Sequence, residues 1–183
     1  MCTIEGRQQT VLLVIDVQVD VVSNAFDRDH VVGRIAGLVD QARAAGTQVV
    51  WVQHSDEELV RDSAAWQIVP ELVPAAGEPR VYKTFRSSFI ETDLEDVLQG
   101  LNAARLVICG AETNNCVRHT SHSALERGYD VVLVADAHTT NSYEWRGHKI
   151  DAAMVIDEQN DNFGGLGLPG RSASVAAAAD IKF

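Results

Sequence analysis

The sequence predicts a three-layer α/β/α protein in which helices cover both faces of a mostly parallel sheet. Short runs of Val, Ile and Leu alternate along the chain with segments of helical periodicity. This alternation favours parallel strands, because each intervening helix returns the chain to the same end of the sheet. The chain has 183 residues, 46% of them hydrophobic, which is enough for one sizeable core. We therefore expect a single domain over residues 1–183.

Strands buried on both faces are expected where a short apolar run has no polar side. The run Val11–Ile15 contains only Val, Leu and Ile. The later segment Val175–Ile181 is rich in Ala, and we expect it to be the final strand. The other predicted strands are Val49–Val52, Arg80–Tyr82, Leu106–Cys109 and Val131–Ala135.

Helices are expected where apolar residues recur every three or four positions between capping or glycine residues. Thr92 is a candidate cap, with Glu95 at the reciprocal position of a capping box. The Gly-rich segment Asn160–Arg171 is expected to be a loop, lying either over a pocket or on the surface. The predicted helices are Val31–Ala45, Thr92–Leu101, Asn115–Arg127 and Lys149–Gln159.

The composition argues against several classes of partner. The net charge of −11, with scattered Lys and Arg, is unfavourable for nucleic acid or an anionic membrane. No apolar run is long enough to span a bilayer, and the start of the chain does not resemble a secretory signal. The 3 cysteines, Cys2, Cys109 and Cys116, form no Cys-x-x-Cys pair or disulfide framework. These features favour a reducing, cytoplasmic location.

Three polar residues follow predicted strands. Asp16 ends the first strand, Lys83 follows the third, and Cys116 lies beyond the fourth, where a helix is expected to begin. Taken singly, Asp16 is as readily a helix cap, Lys83 a solvated lysine and Cys116 a small core residue. In a parallel sheet, however, all three would lie at the carboxyl edge, where ligands bind. We therefore expect them to form an active site.

These residue types permit acyl transfer through a thioester. Cys116 would attack a carbonyl carbon as a thiolate, and Asp16 would take the thiol proton and return it to the leaving amine. Lys83 would stabilise Asp16 as a carboxylate. The backbone N–H of Cys116 and another from the turn after Gly110 would stabilise the developing oxyanion. No histidine is required for this chemistry.

Four stretches resemble the isochorismatase-like cysteine hydrolase superfamily, which includes nicotinamidases and N-carbamoylsarcosine amidases. In chain order they are Leu13–Asp20 (LVIDVQVD), Lys83–Phe89 (KTFRSSF), Gly110–Val117 (GAETNNCV) and Gly128–Ala137 (GYDVVLVADA). The resemblance implies a Rossmann-like sheet and an Asp16-Lys83-Cys116 triad. It also implies a cis peptide bond at Ala111–Glu112, which would direct the Glu112 N–H at the substrate as an oxyanion donor.

The resemblance also bears on cofactors, metals and partners. Nicotinamidases of this superfamily resemble one another in an Asp-x-His metal site after the second strand. Here the corresponding stretch is Val52-Gln53-His54, which lacks the Asp, so we expect no metal and no cofactor. A homodimer or homotetramer is the assembly the resemblance implies.

The expected substrate is a small amide-like molecule whose identity the sequence leaves open among amide, carbamoyl, ureido and lactam compounds. Gln18, His54, Trp66 and Asn115 are the candidate substrate-binding residues. Trp66 lies in the insert Asp56–Val69, where it either anchors the insert to the core or forms a wall of the pocket; we favour the wall. His138, after the fifth strand, is equally a supporting residue or a bystander.

Two other functions stay open at this point. Some members of the superfamily cleave a vinyl ether, although the presence of Cys116 favours an amide. A binding protein without catalytic activity on the same fold is the second alternative, because a fold does not fix a reaction. We also expect Cys116 to be more reactive than Cys109, with the helix dipole and Lys83 outweighing Asp16 in favouring the thiolate. The alternative is that Asp16 holds the thiol protonated until substrate arrives.

Overall fold

A mostly parallel sheet of seven strands forms the centre of the protein, as the sequence predicted. The computed structural model describes residues 4–183, so Cys2 lies outside the described residues. The strands of this sheet are β1 (Gln9–Ile15), β2 (Gln48–His54), β3 (Arg80–Lys83), β4 (Ala103–Ala111), β5 (Asp130–Thr139), β8 (Gly167–Leu168) and β9 (Arg171–Ala176). Their spatial order is β3-β2-β1-β4-β5-β9-β8, and β8 alone runs antiparallel to its neighbour.

Helices pack on both faces of the sheet, so the core has two halves. In β1, Leu12 and Val14 point to one face and Leu13 and Ile15 to the other, because successive side chains of a strand alternate. The first face is covered by α1 (Arg28–Ala44) and the second by α2 (Leu94–Gly100), α3 (Arg118–Glu126) and α4 (Ala152–Gly164). Burial of β1 on both sides explains its uninterrupted apolar sequence.

The helix predicted at Lys149–Gln159 begins later than expected, at Ala152. Lys149 belongs instead to a hairpin of β6 (Tyr143–Trp145) and β7 (His148–Ile150), closed by Arg146 and Gly147 at positive φ. Asp151 caps α4 by accepting a hydrogen bond from the Ala153 N–H. A two-residue turn containing Gly was the signal for this hairpin.

The predicted loop Asn160–Arg171 is wrong in part, because Asn160 to Gly164 continue α4 and residues 167–168 form β8. The final strand was expected at Val175–Ile181 but begins at Arg171 and ends at Ala176. A short 3₁₀ turn, Ala178–Asp180, follows it. Alanine-rich sequence has no strong strand preference, so pairing with β5 determines where the strand lies.

Two helix starts also differ from the prediction. Asp93 precedes α2, and the Thr92 hydroxyl accepts the Leu94 N–H while donating to the Ser88 carbonyl. Glu95 does not complete a capping box, because its carboxylate binds Arg7 and the Tyr129 hydroxyl. The helix predicted at 115–127 is divided into a π-helical turn, Thr113–Val117, and α3.

The carboxyl ends of β3, β2, β1 and β4 are neighbours at one edge of the sheet. The parallel register places His54 of β2 opposite Lys83 of β3, and Ile15 of β1 opposite Gly110 of β4. Within residues 4–183, no helix has the length and apolar character that crossing a membrane would need.

Candidate active site

The residues singled out at the strand ends meet at this edge. The Lys83 ammonium lies 2.5 Å from Asp16 Oδ2 and 3.1 Å from Cys116 Sγ. The side chains of Lys83 and Asp16 are 0% and 1% exposed, so this ion pair is almost entirely removed from water. A buried charge pair is tolerated only when its partners are close, which the two short contacts of Lys83 provide.

The backbone at the end of β1 directs Asp16 towards this cluster. Asp16 has φ 50°, in the left-handed region where Asp is one of the better-tolerated residues, and its N–H donates to the Val52 carbonyl. Beside it, Gly110 has φ 125°, and a Cβ there would lie 2.0 Å from the Ile15 carbonyl oxygen. Only glycine allows β4 to pass this close to the end of β1.

Cys116 lies in the π-helical turn that leads from β4 into α3. The Ala111–Glu112 peptide bond before this turn is cis, as the resemblance implied. The Glu112 carbonyl accepts the N–H groups of Asn115 and Val117, which fixes the turn to the end of β4. The nucleophile candidate is therefore held by backbone bonds from a rigid strand.

Burial dominates the electrostatics of the cluster. Burial, and then the Asp16 carboxylate, raise the pKa of the Cys116 thiol to about 12, although the Lys83 ammonium acts in the opposite direction. Burial also raises the pKa of Asp16, against the attraction of Lys83. The Lys83 ammonium loses solvation as well, but attraction to Asp16 and Cys116 outweighs this loss and raises the pKa of Lys83.

These pKa shifts correct one expectation about the resting thiol. Lys83 and the helix terminus do not prevail in favouring the Cys116 thiolate, because burial and Asp16 raise the pKa of the thiol; the alternative, a thiol held protonated beside Asp16, is the one that these shifts support. Cys109 lies fully buried in β4, and burial raises the pKa of its thiol too. Cys116 differs from Cys109 in access and in having a carboxylate beside it that can accept its proton.

His54 joins this cluster to the insert that follows β2. Its Nδ1 lies 3.4 Å from Lys83 Nζ, and its Nε2 lies 3.1 Å from Asp56 Oδ2. Lys83 is a donor and Asp56 an acceptor, so the neutral ring accepts at Nδ1 and donates at Nε2. His54 thus lies on the cavity wall and also orients Lys83.

A cavity of about 380 Å³ opens above Cys116 and Asp16. His54 and Asn115, two of the predicted substrate-binding residues, line it. The Asn115 amide donates to one oxygen of the Glu112 carboxylate, and the Asn141 amide donates to the other. The segment Asn160–Arg171 contributes nothing to this lining.

Gln18 and Trp66 do not line the cavity, which corrects their assignment as substrate-binding residues. Gln18 is fully buried, donates to the His54 and Trp66 carbonyls and accepts the His54 N–H. The Trp66 ring is 5% exposed and packs on Tyr82, with 5.7 Å between ring centroids. Both residues anchor the insert to the sheet, so the alternative we did not favour for Trp66 is the observed one.

His138 supports the turn that carries Cys116 without facing the cavity. It is 1% exposed, with Nδ1 2.9 Å from the Thr113 hydroxyl and Nε2 3.0 Å from Asn160 Oδ1. The Asn160 amide nitrogen donates to the Ala135 carbonyl, so its oxygen must accept from His138 Nε2. Nδ1 of the neutral ring then accepts a hydrogen bond from the Thr113 hydroxyl, and burial lowers the pKa of His138.

Several lining residues escaped the sequence analysis. Arg86 follows Lys83 by three positions, within a stretch that had already been singled out. Asn141 lies just beyond β5, where a parallel sheet again presents its carboxyl edge. Asp20, Asp56 and Glu58 also line the cavity; Asp20 ends the stretch Leu13–Asp20 singled out above, and the acidic start of the insert was the signal for the other two. In residues 4–183, no three His, Cys, Asp or Glu side chains are grouped to hold a metal ion.

Comparison with known proteins shows the family to which the chain belongs. The family model described as the isochorismatase domain matches residues 10–160. A streptothricin hydrolase of Streptomyces noursei is 36% identical over 140 residues, which cover 73% of this chain and 56% of the relative. A ureidoacrylate amidohydrolase of Agrobacterium fabrum is 30% identical over 61% of this chain and 64% of its own length. This chain thus spans little more than half of the streptothricin hydrolase.

Solved structures share the fold over almost the whole chain. An isochorismatase from Pseudomonas putida superposes with a TM-score of 0.87 at 28% identity, covering 95% of this chain and 90% of its own. A putative isochorismatase hydrolase from Oleispira antarctica gives a TM-score of 0.84 at 28% identity, covering 98% of both chains. With the family model matched over residues 10–160, the chain belongs to the isochorismatase family of hydrolases.

Proposed function

We propose that this protein is a cysteine hydrolase that cleaves a non-peptide carbon–nitrogen bond of a small molecule through a thioester on Cys116. The observation that carries the proposal is the contact of one buried ammonium with both other groups. Lys83 Nζ lies 2.5 Å from Asp16 and 3.1 Å from the Cys116 sulfur, beneath a cavity that reaches the thiol. A binding protein has no need of a nucleophile, a base and a cation in this arrangement.

The raised pKa of Cys116 requires a general base for the first step. As Cys116 Sγ attacks the carbonyl carbon, Asp16 takes the thiol proton and the C–S bond forms. The carbonyl oxygen becomes an oxyanion, for which the N–H groups of Glu112 and Cys116 are the proposed donors. The oxyanion then collapses and the C–N bond breaks, while Asp16 passes its proton to the departing nitrogen.

The second half of the cycle releases the acid. Water attacks the thioester carbon and gives a proton to Asp16, and the tetrahedral intermediate expels the Cys116 sulfur. Asp16 returns the proton to the thiolate, which restores the starting state. Lys83 keeps its positive charge throughout, and it stabilises whichever neighbour is anionic at each step. The burial that raises the pKa of Asp16 suits this exchange, because it brings the proton affinity of the carboxylate closer to that of the groups with which it exchanges protons.

The relatives support the choice of a C–N bond. The names of a streptothricin hydrolase and a ureidoacrylate amidohydrolase describe hydrolysis of those compounds by those proteins. Ether cleavage, which some members of the superfamily perform, has no step that requires a thiol nucleophile. The contact between Lys83 and Cys116 therefore favours the amide.

The test is a covalent intermediate. Intact-protein mass spectrometry, after rapid quenching with a panel of small amides, ureas and lactams, should show an acyl group that maps to Cys116. Ammonia or amine release over the same panel identifies the substrate. Turnover without any adduct in the wild-type protein or in slowed variants would exclude the thioester. A homodimer or homotetramer, and a cytoplasmic location, are part of the proposal and are checked by light scattering and fractionation.

A further inference from the structure

Carboxylates are the most numerous charged groups in the lining of the cavity above Cys116. The positive charge of Lys83 neutralises the negative charge of Asp16, so the other charged residues of the lining determine the sign of the electrostatic potential in the cavity. Four carboxylates then face one guanidinium. These charged residues are Asp20, Asp56, Glu58 and Glu112 against Arg86. A concave site with walls of one sign concentrates ligands of the opposite charge.

This excess is not a simple consequence of the net charge of −11. A second cavity, of about 520 Å³, shares Arg86 and Glu112 with the first but adds Arg118, so its cations outnumber its carboxylates. A third, near the start of β2, pairs Arg43 with Glu78. A cavity lined by Asp56, Glu57 and Arg61 has a smaller excess of carboxylates, so the excess is largest in the cavity that reaches the nucleophile.

The carboxylates differ in whether they already have partners. Asp20 and Glu58 are exposed, and among residues 4–183 no side chain pairs with either carboxylate. Asp56 accepts the N–H groups of Glu58 and Leu59 and contacts His54, which fixes its charge at the wall. The lining therefore carries two unpaired carboxylates, which can accept hydrogen bonds from a ligand, and a third whose charge is fixed.

The cavity is a ligand site for a reason independent of these charges. It reaches the Cys116 thiol and Asp16, which is 1% exposed and whose Oδ1 has no hydrogen-bond partner within the described part of the chain. A buried oxygen of this kind, aimed at a cavity, marks a place where a reactant or water must bind. Asp20, Asp56 and Glu58 line the same cavity, so their charge acts on any ligand that enters it.

We propose that the protein acts on cationic substrates, namely small amides that carry an amine or guanidine group. The group would bind between Asp20 and Glu58, with Asp56 behind them, while the amide carbon faces Cys116. That the substrate is an amide rests on the proposed function, whereas the preference for a positively charged substrate rests only on the charges that line the cavity. A neutral or anionic amide of the same size would lack this attraction.

The charge preference can be measured without a known substrate, by labelling Cys116 with three methanethiosulfonates. They carry a trimethylammonium-ethyl, a sulfonate-ethyl or a methyl group; the first two differ in charge at similar size, and the methyl reagent is a small neutral reference. In each case the thiolate attacks the sulfenyl sulfur, a mixed disulfide forms and methanesulfinate leaves. The rate at which each reagent labels Cys116 is measured by peptide mapping, and the Cys116→Ala variant serves as the blank. Each rate is then divided by the rate at which the same reagent labels a small free thiol, which corrects for the intrinsic reactivity of the reagent.

We expect the cationic reagent to be favoured over the anionic one by about tenfold or more at low salt, and by less at 0.5 M salt. The double variant Asp20→Asn with Glu58→Gln should lower this ratio at least threefold. The control variant Asp40→Asn with Glu126→Gln removes the same charge from exposed positions outside the cavity lining and should leave the ratio unchanged. An equal or inverted ratio, or an equal change in both double variants, would overturn the proposal.

Substrate kinetics separate this inference from the proposed function. Nα-acetyl-lysinamide and Nα-acetyl-norleucinamide have similar size and differ in charge, so the first should have the higher kcat/KM by about tenfold or more. Equal turnover of both would contradict cation selection while supporting the amide chemistry. If no amide is hydrolysed but the labelling ratio stands, the amide function fails and the cationic ligand class is retained.

Discussion

The sheet edge and the insert after β2 meet at one cavity but are built differently. At the edge, Asp16 and Lys83 are placed by strand ends in a parallel register, and a glycine lets the neighbouring strand approach. The insert has no strand or helix of its own over residues 56–66, and side-chain hydrogen bonds from Gln18 and Asp56 hold it. The edge therefore supplies reacting groups at fixed distances, and the insert supplies charge and shape.

This difference assigns separate tasks to the two regions. Changing a residue at the edge should remove the chemistry, whereas changing the insert should alter selectivity or stability. His54 is the point of contact between them, because it touches Lys83 on one side and Asp56 on the other. If the two tasks are separable, variants at the edge and variants in the insert should lose different properties.

The largest effect is expected for Cys116→Ala. Removing the proposed nucleophile should lower kcat by about 10³-fold or more, because no other group can form the thioester. Circular dichroism and thermal unfolding should stay close to wild type, since Cys116 is only partly buried in the turn. An alanine variant with near-normal turnover would remove the sheet edge from the mechanism.

Asp16→Asn and Lys83→Met should each cost nearly as much activity as the loss of Cys116. The double variant should be little worse than either single variant, because groups that act as one unit give non-additive losses. Steady-state kcat/KM for the four proteins of this cycle gives the coupling directly. Strictly multiplicative losses would mean that Asp16 and Lys83 act independently.

The sheet edge and the insert also differ in how well the sequence predicts them. That Asp16, Lys83 and Cys116 lie together could be predicted because buried strands have a clear apolar signal and parallel strands share one edge. Gln18 and Trp66 were misassigned because polar or aromatic residues near a site look alike whether they face the ligand or the core. Trp66 is held by packing on Tyr82, a long-range contact that no local pattern encodes.

The boundaries of the C-terminal half illustrate the same limit. The segment at 149–150 pairs in a hairpin, although its sequence was compatible with a helix that in fact begins at Ala152. The start of β9 depends on pairing with β5, since alanine and serine give weak local preferences. Local sequence preferences indicate roughly where these helices and strands lie, whereas pairing with other strands determines where each one begins and ends.

Alkylation of Cys116 should separate reactivity from catalysis. Asp16 is one cause of the raised thiol pKa, so Asp16→Asn should lower that pKa and increase the thiolate fraction at pH 7–8. Each unit by which the pKa falls raises the thiolate population about tenfold. Iodoacetamide should therefore label Cys116 faster in this variant than in wild type, although hydrolysis is lost.

The dependence of the alkylation rate on pH gives a second test of the raised thiol pKa. Because the pKa is about 12, the wild-type alkylation rate should rise with pH throughout the range from 7 to 9. Peptide mapping must separate Cys116 from Cys109, whose full burial should keep it unlabelled in both proteins. Slower labelling of the Asp16→Asn variant would show that the carboxylate activates the resting thiol and would reverse our assignment.

A smaller effect, on stability, is expected for the residue that ties the insert to the sheet. Gln18→Ala removes three hydrogen bonds to the backbone of His54 and Trp66, so it should lower the free energy of unfolding by about 1–3 kcal/mol. Gln67→Ala is the matched control, because Gln67 is an exposed glutamine of the same insert and should change stability by less than about 0.5 kcal/mol. Urea unfolding compares them, and equal losses would contradict an anchoring role for Gln18.

The smallest expected effect is that of a chelator, which should leave activity unchanged. His54 is the histidine at the contact between the two regions, and its ring nitrogens face Lys83 and Asp56. A cation ligated at Nδ1 would lie against the Lys83 ammonium, which repels it. Val52, two residues before His54, supplies no carboxylate. Elemental analysis and assays with 1,10-phenanthroline check this, and a stoichiometric metal whose removal abolishes turnover would make His54 a ligand and merge the two regions into one centre.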